Sequence, residues 1–325
     1  MPKRAIVTGA TGFLGQHLVN QLMEQGWQVS ALCRDHFKAA HLPKGVQVVL
    51  GDITDPASLN KLPEGADAVF HTAASTNTWS QRNAEQDRVN LEGTRNVLDM
   101  AKNKGVTRFI HTSSVVVYGT EVHEVHEDLP KTGDASWINY VRSKTLAEKM
   151  VLEATQTGPM QSVILNPTHI IGPGDRRNWA RLIHMLARRK LPAIPPGAGS
   201  FADVRSVAAA HIAACERGRA GENYLLGGEN LSFAQFIEQA AAKLAVRPPR
   251  LALSEKALTR IARFKDWLSR FTHKEPDMTP ESVALISHRY RNISRKAAAE
   301  LDYVSLPFEE SLEDSIAYLR LLEFI

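Results

Sequence analysis

The sequence predicts an α/β fold: a doubly wound parallel sheet with a smaller, mainly helical C-terminal lobe. Three observations lead there. The chain opens on a strand–glycine turn–helix pattern. Short apolar runs then alternate with helical patterns as far as residue 228, the alternation that builds parallel sheets. Proline and glycine become denser from Asn166 to Gly199, and helical patterns dominate after residue 228. The expected division is 1–165 as the dinucleotide-binding part, joined by 202–227 returning to it. Residues 166–201 and 228–325 make up the substrate lobe.

The 325 residues suffice for one large α/β unit or a nucleotide-binding domain with a smaller partner. A formal net charge of +4 is small for this length and does not point to nucleic acid. Cys33 and Cys215 form no CxxC pair, metal spacing or disulfide framework, so a reducing compartment, the cytoplasm, is expected. No stretch approaches the ~20 apolar residues of a membrane span, and the glycine turn interrupts the one apolar run near the N-terminus.

Ala5, Ile6 and Val7 suit a strand buried on both faces. Gly9, Gly12 and Gly15 follow, then Phe13, Leu14, Leu18, Leu22 and Met23 at helical spacing. Gly9 permits a tight turn, Gly12 lets backbone approach a pyrophosphate, and Gly15 allows close helix packing. The helix N-terminus offers N–H groups and a positive dipole end to phosphate. Glycine spacing alone is equally a turn without a ligand.

A second strand over 27–33 ends at Cys33, Arg34 and Asp35, where an NAD-binding fold places an acidic residue for the ribose. Arg34 there suits a 2′-phosphate, which favours NADP(H), although Asp35 keeps NAD possible. A third strand over 46–50 exits through Asp52, which is able to accept from an adenine amine or to cap the helix near Pro56. A fourth over 66–71 ends in Thr72-Ala-Ala-Ser75, small enough for a cofactor to lie against the backbone. A long helix spans 86–103 with Asn90, Gly93 and Asn96 on it. A fifth strand, 107–112, runs into Ser113 and Ser114, and the acidic loop 121–128 is expected to be solvated. The helix over 137–154 puts Tyr140 and Lys144 on one face. A sixth strand covers 161–165, a helix 203–217, and residues 223–226 form a strand returning to the sheet. Helical patterns over 232–245, 255–271, 280–287, 294–301 and 308–322 complete the chain.

Taken together, Thr8-Gly-Ala-Thr-Gly-Phe-Leu-Gly15, Gly51-Asp-Ile53, His71-Thr-Ala-Ala74, Asn90-Leu-Glu-Gly-Thr-Arg-Asn96, Thr112-Ser-Ser114, Val117-Tyr-Gly119, Tyr140-Val-Arg-Ser-Lys144 and Asn166-Pro-Thr-His-Ile-Ile-Gly-Pro173 resemble the extended short-chain dehydrogenases/reductases, the nicotinamide-dependent epimerase/dehydratase superfamily. The resemblance runs from the first strand to about Gly228. Val29-Ser-Ala-Leu-Cys-Arg-Asp35 is similar to the dihydroflavonol 4-reductase and 3β-hydroxysteroid dehydrogenase branch. It implies a Rossmann fold and a catalytic set of Ser114, Tyr140 and Lys144. Ser114 is preferred to Ser113 by the family's spacing to Tyr118-Gly119. It also implies a cofactor site made by Gly9, Thr11, Gly12, Phe13, Leu14, Gly15, Arg34, Asp52, Ile53, Ala73, Tyr140, Lys144, Pro167 and Ile170. Asn166 and Ser206 depart from the arginine and aspartate that many members carry, which bears on the substrate.

The chemistry expected is hydride transfer between nicotinamide and a carbonyl/alcohol pair. Tyr140 would give the proton, Ser114 would hold the carbonyl oxygen, and Lys144 would lower the phenol. Moving a phenol from about 10 towards 7 takes roughly 4 kcal/mol, about what one ammonium at ~4 Å supplies at an effective dielectric near 20. Alternatives are a nucleotide-sugar epimerase or dehydratase holding NAD and a non-catalytic NADP(H)-binding sensor. No metal site is expected: His71 and His111 sit in strands as satisfied interior groups, and His123 and His126 lack a third ligand.

The small-molecule substrate is expected to be an apolar ketone or aldehyde, in a pocket lined by Trp79, Val117, Tyr118, Trp179 and Ile194. Arg176, Arg177 and Arg181 are the residues that would clamp a diphosphate if they faced inward. In 255–271, Leu258, Ile261, Phe264, Trp267, Leu268 and Phe271 share a helix face beside basic residues. The preferred reading is a lid helix that packs this face on the lobe; the other is peripheral membrane contact. The sequence leaves open whether the chain forms a homodimer.

Overall fold

The apolar run at the head of the chain becomes β1 (Arg4–Thr8), buried from Ala5 onward in the middle of a sheet. The computed structural model describes residues 2–325. Seven strands pair in parallel: β1, β2 (Gln28–Cys33), β3 (Gln47–Leu50), β4 (Ala68–His71), β5 (Arg108–Thr112), β7 (Gln161–Pro167) and β10 (Asn223–Leu226). Their order is β10-β7-β5-β4-β1-β2-β3. The chain therefore winds outward from β1 to β3, returns to the other side of β1 at β4, and winds outward again. The crevice between the C-terminal ends of β1 and β4 is the switch point at which such sheets bind ligands.

Helices cover both faces, as a sheet buried on both sides requires. On one, α1 (Phe13–Glu24) packs beside α8 (Val204–Arg217), burying Leu14, Leu18, Leu22, Val204 and Val207 against Val7, Phe70 and Leu165. Short α2 (His36–Ala39) closes the edge of this layer. The opposite face holds α3 (Pro56–Leu59), α5 (Gly93–Asn103) and α6 (Asn139–Thr157), with Leu59, Val97, Leu98 and Val151 on Ile6, Val69 and Phe109. The helix expected over 86–103 begins earlier, as α4 (Asn83–Asp87), and reaches α5 through one π turn at Arg88–Glu92. Asp35 and Asp55 cap α2 and α3, so the cap of the Pro56 helix is Asp55 and not Asp52.

The C-terminal lobe is helical around a second small sheet that the sequence pattern does not reveal. β8 (His169–Ile171), β9 (Ala198–Asp203) and β11 (Glu229–Ser232) pair in the order β11-β9-β8. α7 (Trp179–Ala187), α9 (Phe233–Leu244) and α13 (Phe308–Leu321) pack on it around Phe201, Phe236 and Phe308. α12 (Arg295–Leu301) lies on α8 and β10. The loop expected to be solvated is instead partly structural. Within it, β6 (Glu124–Val125) pairs with β12 (Arg291–Asn292), Val125 is buried, and Glu127 accepts from the Leu225 amide at 3.1 Å.

α10 (Glu255–Thr272) and α11 (Pro280–Ser287) pack on one another. The expectation that α10 buries its apolar face is overturned. Its buried residues are Leu258, Ala262 and Ser269, while Ile261, Phe264, Trp267, Leu268 and Phe271 are exposed. Small Ala262 and Ser269 let α10 approach the lobe closely, and that side takes the contact. No helix among the described residues is long and apolar enough to cross a membrane.

Candidate active site

The glycine turn is built as a cradle. Gly9 sits at φ 72°, and a Cβ there would lie 2.6 Å from Thr72 Oγ1 and 2.7 Å from the Ala73 nitrogen. A Cβ on Gly15 would lie 2.1 Å from the Gly9 carbonyl oxygen. Only glycine keeps this turn flat against the β4 exit and α1 tight against the turn. α1 then presents its N-terminus, with Gly12 at the cap and no side chain bonded there. Thr11 and Phe13 are half-buried at the turn, and Leu14 is buried beneath it. The turn therefore fits a pyrophosphate approaching backbone.

At the end of β2, Cys33 is buried and Arg34 is exposed, with its guanidinium 3.8 Å from Asp52 Oδ2. The carboxylate of Asp35 is occupied as a helix cap, accepting from Phe37 and Lys38 amides. Asp52 also accepts from the Thr54 amide and hydroxyl at 2.9 Å each. Ile53 is buried against Gly93, where an added Cβ would come within 2.6 Å of Ile53 Cδ1, and the Ile53 carbonyl accepts from Asn96. The Ala73 amide faces Thr8 Oγ1 at 3.4 Å, Pro167 ends β7, and Ile170 lies in β8. Of these residues Gly9, Arg34, Asp52, Ala73 and Pro167 gather at or just beyond strand C-terminal ends.

The π turn places Asn90 between the β4 exit and α6. Its Oδ1 accepts from the Ser75 amide at 2.7 Å, and its Nδ2 donates to Ser75 O and Ser143 Oγ at 3.0 Å each. The polar positions on this helix are thus structural, and they tie the crevice wall to the helix carrying Tyr140.

Ser114 and Tyr140 share the wall of a cavity of about 190 Å³, with Val115, Val116, Gly119, Thr120, Val125, Thr168, His169, Leu285, His288 and Tyr290. Burial pushes the Tyr140 phenol above its ordinary value, and a side-chain hydrogen bond with Ser114 opposes that rise. Lys144 is buried one turn along, donating to the Thr112 carbonyl at 2.6 Å. Burial pulls its ammonium down to about 8, against the field of Glu148. The expected depression of the phenol by Lys144 is absent: desolvation outweighs every other influence on Tyr140. Ser113 faces away, donating to Glu148 at 2.5 Å.

Of the side chains expected to line the substrate pocket, none does. Val117 and Tyr118 are buried, and the Tyr118 phenol accepts from Asn223 at 2.7 Å. Trp79 is buried, Trp179 stands edge-on behind His169 at 5.0 Å, and Ile194 bridges to Ala252. His169, Leu285, His288 and Tyr290 take that place. His169 comes from β8, Leu285 from α11, and His288 and Tyr290 from the α11–β12 connection, which no local pattern marks. Burial pulls His169 down to about 4 and also lowers His288, so both rings are neutral near pH 7. Among the described residues, no lysine or arginine lines the cavity. Arg176 donates to the Tyr318 hydroxyl and Arg181 to the Asp277 carbonyl.

His71 is satisfied by Thr8 and Thr94 hydroxyls at 2.7 and 3.0 Å. His111 is not: neither ring nitrogen has a partner among the described residues, and the ring stacks on His71 at 5.5 Å. No group of three potential metal ligands occurs among the described residues.

The structure thus sets a cradle of glycine backbone at the switch point and a cavity whose wall carries Ser114 and Tyr140, with Lys144 buried one turn along. Residues 5–227 match the model of the NAD dependent epimerase/dehydratase family, and the chain belongs to that family. It is an enzyme of the extended short-chain dehydrogenase/reductase type. The sterol demethylase protein B of Methylococcus capsulatus is 31% identical over 322 residues, covering 97% of this chain and 98% of that protein. A putative dihydroflavonol 4-reductase of Synechocystis is 29% identical over 323 residues, covering 97% and 94%. The crystal structure of gox2253 superposes with a TM-score of 0.85 at 31% identity, covering 99% of both chains.

Proposed function

We propose that this protein is an NADP(H)-dependent oxidoreductase acting on an apolar ketone or aldehyde, or on the corresponding alcohol. The observation that carries the reading is the pairing of Ser114 with Tyr140 on the wall of a cavity that, among the described residues, no lysine or arginine lines. A sugar diphosphate needs fixed cations; of the arginines able to supply them, Arg176 and Arg181 are held on Tyr318 and Asp277, and Arg177 is not among the residues lining the cavity.

When bound, the nicotinamide dinucleotide supplies or accepts the hydride. Gly9, Gly12 and the start of α1 hold its pyrophosphate, and Arg34 holds the 2′-phosphate. Ser114 donates to the substrate carbonyl oxygen and fixes it against Tyr140. Tyr140 gives its proton to that oxygen as negative charge develops. Lys144 stabilises the phenolate left behind, exchanging part of its interaction with the Thr112 carbonyl for one with Tyr140. In the alcohol direction each proton moves the opposite way. Residues 1–165 with 202–227 serve the cofactor, and 166–201 with 228–325 serve the substrate.

The names of two relatives, a sterol demethylase component and a dihydroflavonol reductase, agree with an extended, largely apolar substrate. The test is oxidation of NADPH and NADH against a panel of aromatic, aliphatic and steroidal carbonyls, beside calorimetric binding of UDP- and GDP-sugars. Turnover of apolar carbonyls with preference for NADPH is expected. Micromolar sugar-nucleotide binding without carbonyl turnover would give the site to epimerase or dehydratase chemistry.

A further inference from the structure

Helix α10 has two unlike faces. The packed one is formed by Leu258, Ala262 and Ser269. The other carries Ile261, Phe264, Trp267, Leu268 and Phe271, which are 40%, 62%, 52%, 44% and 67% exposed. The spacing of three and four makes these side chains one stripe along the helix. Its aromatic rings meet one another, Phe264 and Trp267 at 6.0 Å and Trp267 and Phe271 at 5.1 Å. A continuous exposed apolar stripe marks an interaction surface.

The charges beside it indicate the occupant. Lys265 pairs with Asp277 and Arg270 with Asp266. Lys256, Arg260 and Arg263 make no ion pair among the described residues; in a helical projection Lys256 and Arg263 fall along one edge of the stripe and Arg260 within its margin, between Phe271 and Trp267. The helix has two carboxylates, Glu255 and Asp266, and neither projects from the stripe. An apolar stripe edged with unpaired cations matches a surface that is anionic outside and apolar within.

We propose that α10 docks this protein on an anionic bilayer, lying parallel to its plane with the aromatic stripe at the headgroup boundary and the cations among the lipid phosphates. On its packed face α10 meets α11, whose Leu285 lines the cavity. The docking itself is independent of the catalytic reading.

The experiment is flotation of the full chain with vesicles of phosphatidylcholine, with and without phosphatidylglycerol, at low and high salt. Binding is expected with phosphatidylglycerol at low salt, and weaker binding at high salt or without the anionic lipid. Arg260→Glu/Arg263→Glu should weaken it more than about tenfold, since each cation near such a surface changes binding about fivefold. Trp267→Ser/Phe271→Ser should do likewise, and because all four side chains are on the outer face, the thermal transition should not move. No flotation with phosphatidylglycerol, or flotation that both variants leave unchanged, overturns the proposal. So does a dimer in sedimentation velocity that the aromatic pair dissolves. Carbonyl turnover is measured on the same preparations: lost flotation with intact turnover removes the docking alone, and the converse removes the catalytic reading alone.

Discussion

Ser113 and Glu148 are joined by a 2.5 Å hydrogen bond that links the end of β5 to the middle of α6. Glu148 is buried, accepts from Asn166 at 2.8 Å and forms an ion pair with Lys131. Asn166 also donates to the Ser114 carbonyl at 3.2 Å. The two adjacent serines thus part: one is anchored away from the cavity, and the other faces Tyr140. Ser114→Ala should lower kcat by about 10²–10³, the scale for losing one donor to a developing oxyanion. Ser113→Ala should instead cost about 1–3 kcal/mol of stability by stripping a partner from a buried carboxylate. Kinetics beside urea denaturation separates the two, and the reverse pattern would exchange their roles.

Tyr140→Phe removes one oxygen from the cavity wall. Turnover should fall by about 10²–10⁴, the usual contribution of a positioned acid, while dinucleotide affinity and melting temperature stay close to wild type. Near-normal turnover on an identified substrate would show that another group gives the proton.

Lys144 couples function to stability through its pKa. The buried ammonium sits at about 8, against 10.5 for the free group. Below pH 8 both folded and unfolded chains carry the proton, and the folded one bears the cost of a buried charge. Between pH 8 and 10.5 the unfolded chain binds more protons, so wild-type stability rises with pH. Relative to Lys144→Met, the wild type should gain roughly 2–3 kcal/mol between pH 7 and 10. The Thr112 carbonyl loses its donor in the variant at every pH and does not enter this slope. Denaturation at a series of pH values checks it; a flat difference would mean that the lysine is not desolvated. In the wild type, kcat/KM for reduction should fall above about pH 8 as the ammonium is lost.

Arg34→Ala should weaken NADPH binding by about 1.5–3 kcal/mol, the scale of a hydrogen bond to a charged group, and leave NADH nearly unchanged. The ion pair that Arg34 gives up, with Asp52 at 3.8 Å and largely in solvent, is worth little. Equal loss for both nucleotides, by fluorescence titration, would remove the argument for the 2′-phosphate.

The parallel sheet and its glycine turn were legible because their signals are local. A buried strand reads as an apolar run, Gly9 and Gly15 stand where no Cβ fits, and Tyr140 and Lys144 fall one helical turn apart. The C-terminal lobe and the cavity walls were not, because they depend on distant pairings. β9 reads as a Gly-Ser loop until β8 and β11 flank it, and Val125 is buried once Arg291–Asn292 pairs beside it. His288 and Tyr290 lie in a stretch without periodicity. Tyr118, an aromatic next to a catalytic-type serine, looks like a pocket residue, yet its ring turns into a core with Leu225. For α10 the hydrophobic pattern identified the helix but misassigned its face, since small Ala262 and Ser269 rather than the large apolar residues allow close packing.

The pairing of β6 with β12 sets an order of events during synthesis. Strands β1 to β4 and the glycine turn leave the ribosome early, although α1 finds its packing partner α8 only after residue 204 is made. The cavity beside Tyr140 waits for Leu285, His288 and Tyr290, and for Arg291 to find Glu124 across a long loop whose closure is entropically slow. The glycine turn would therefore be made well before the cavity has its walls.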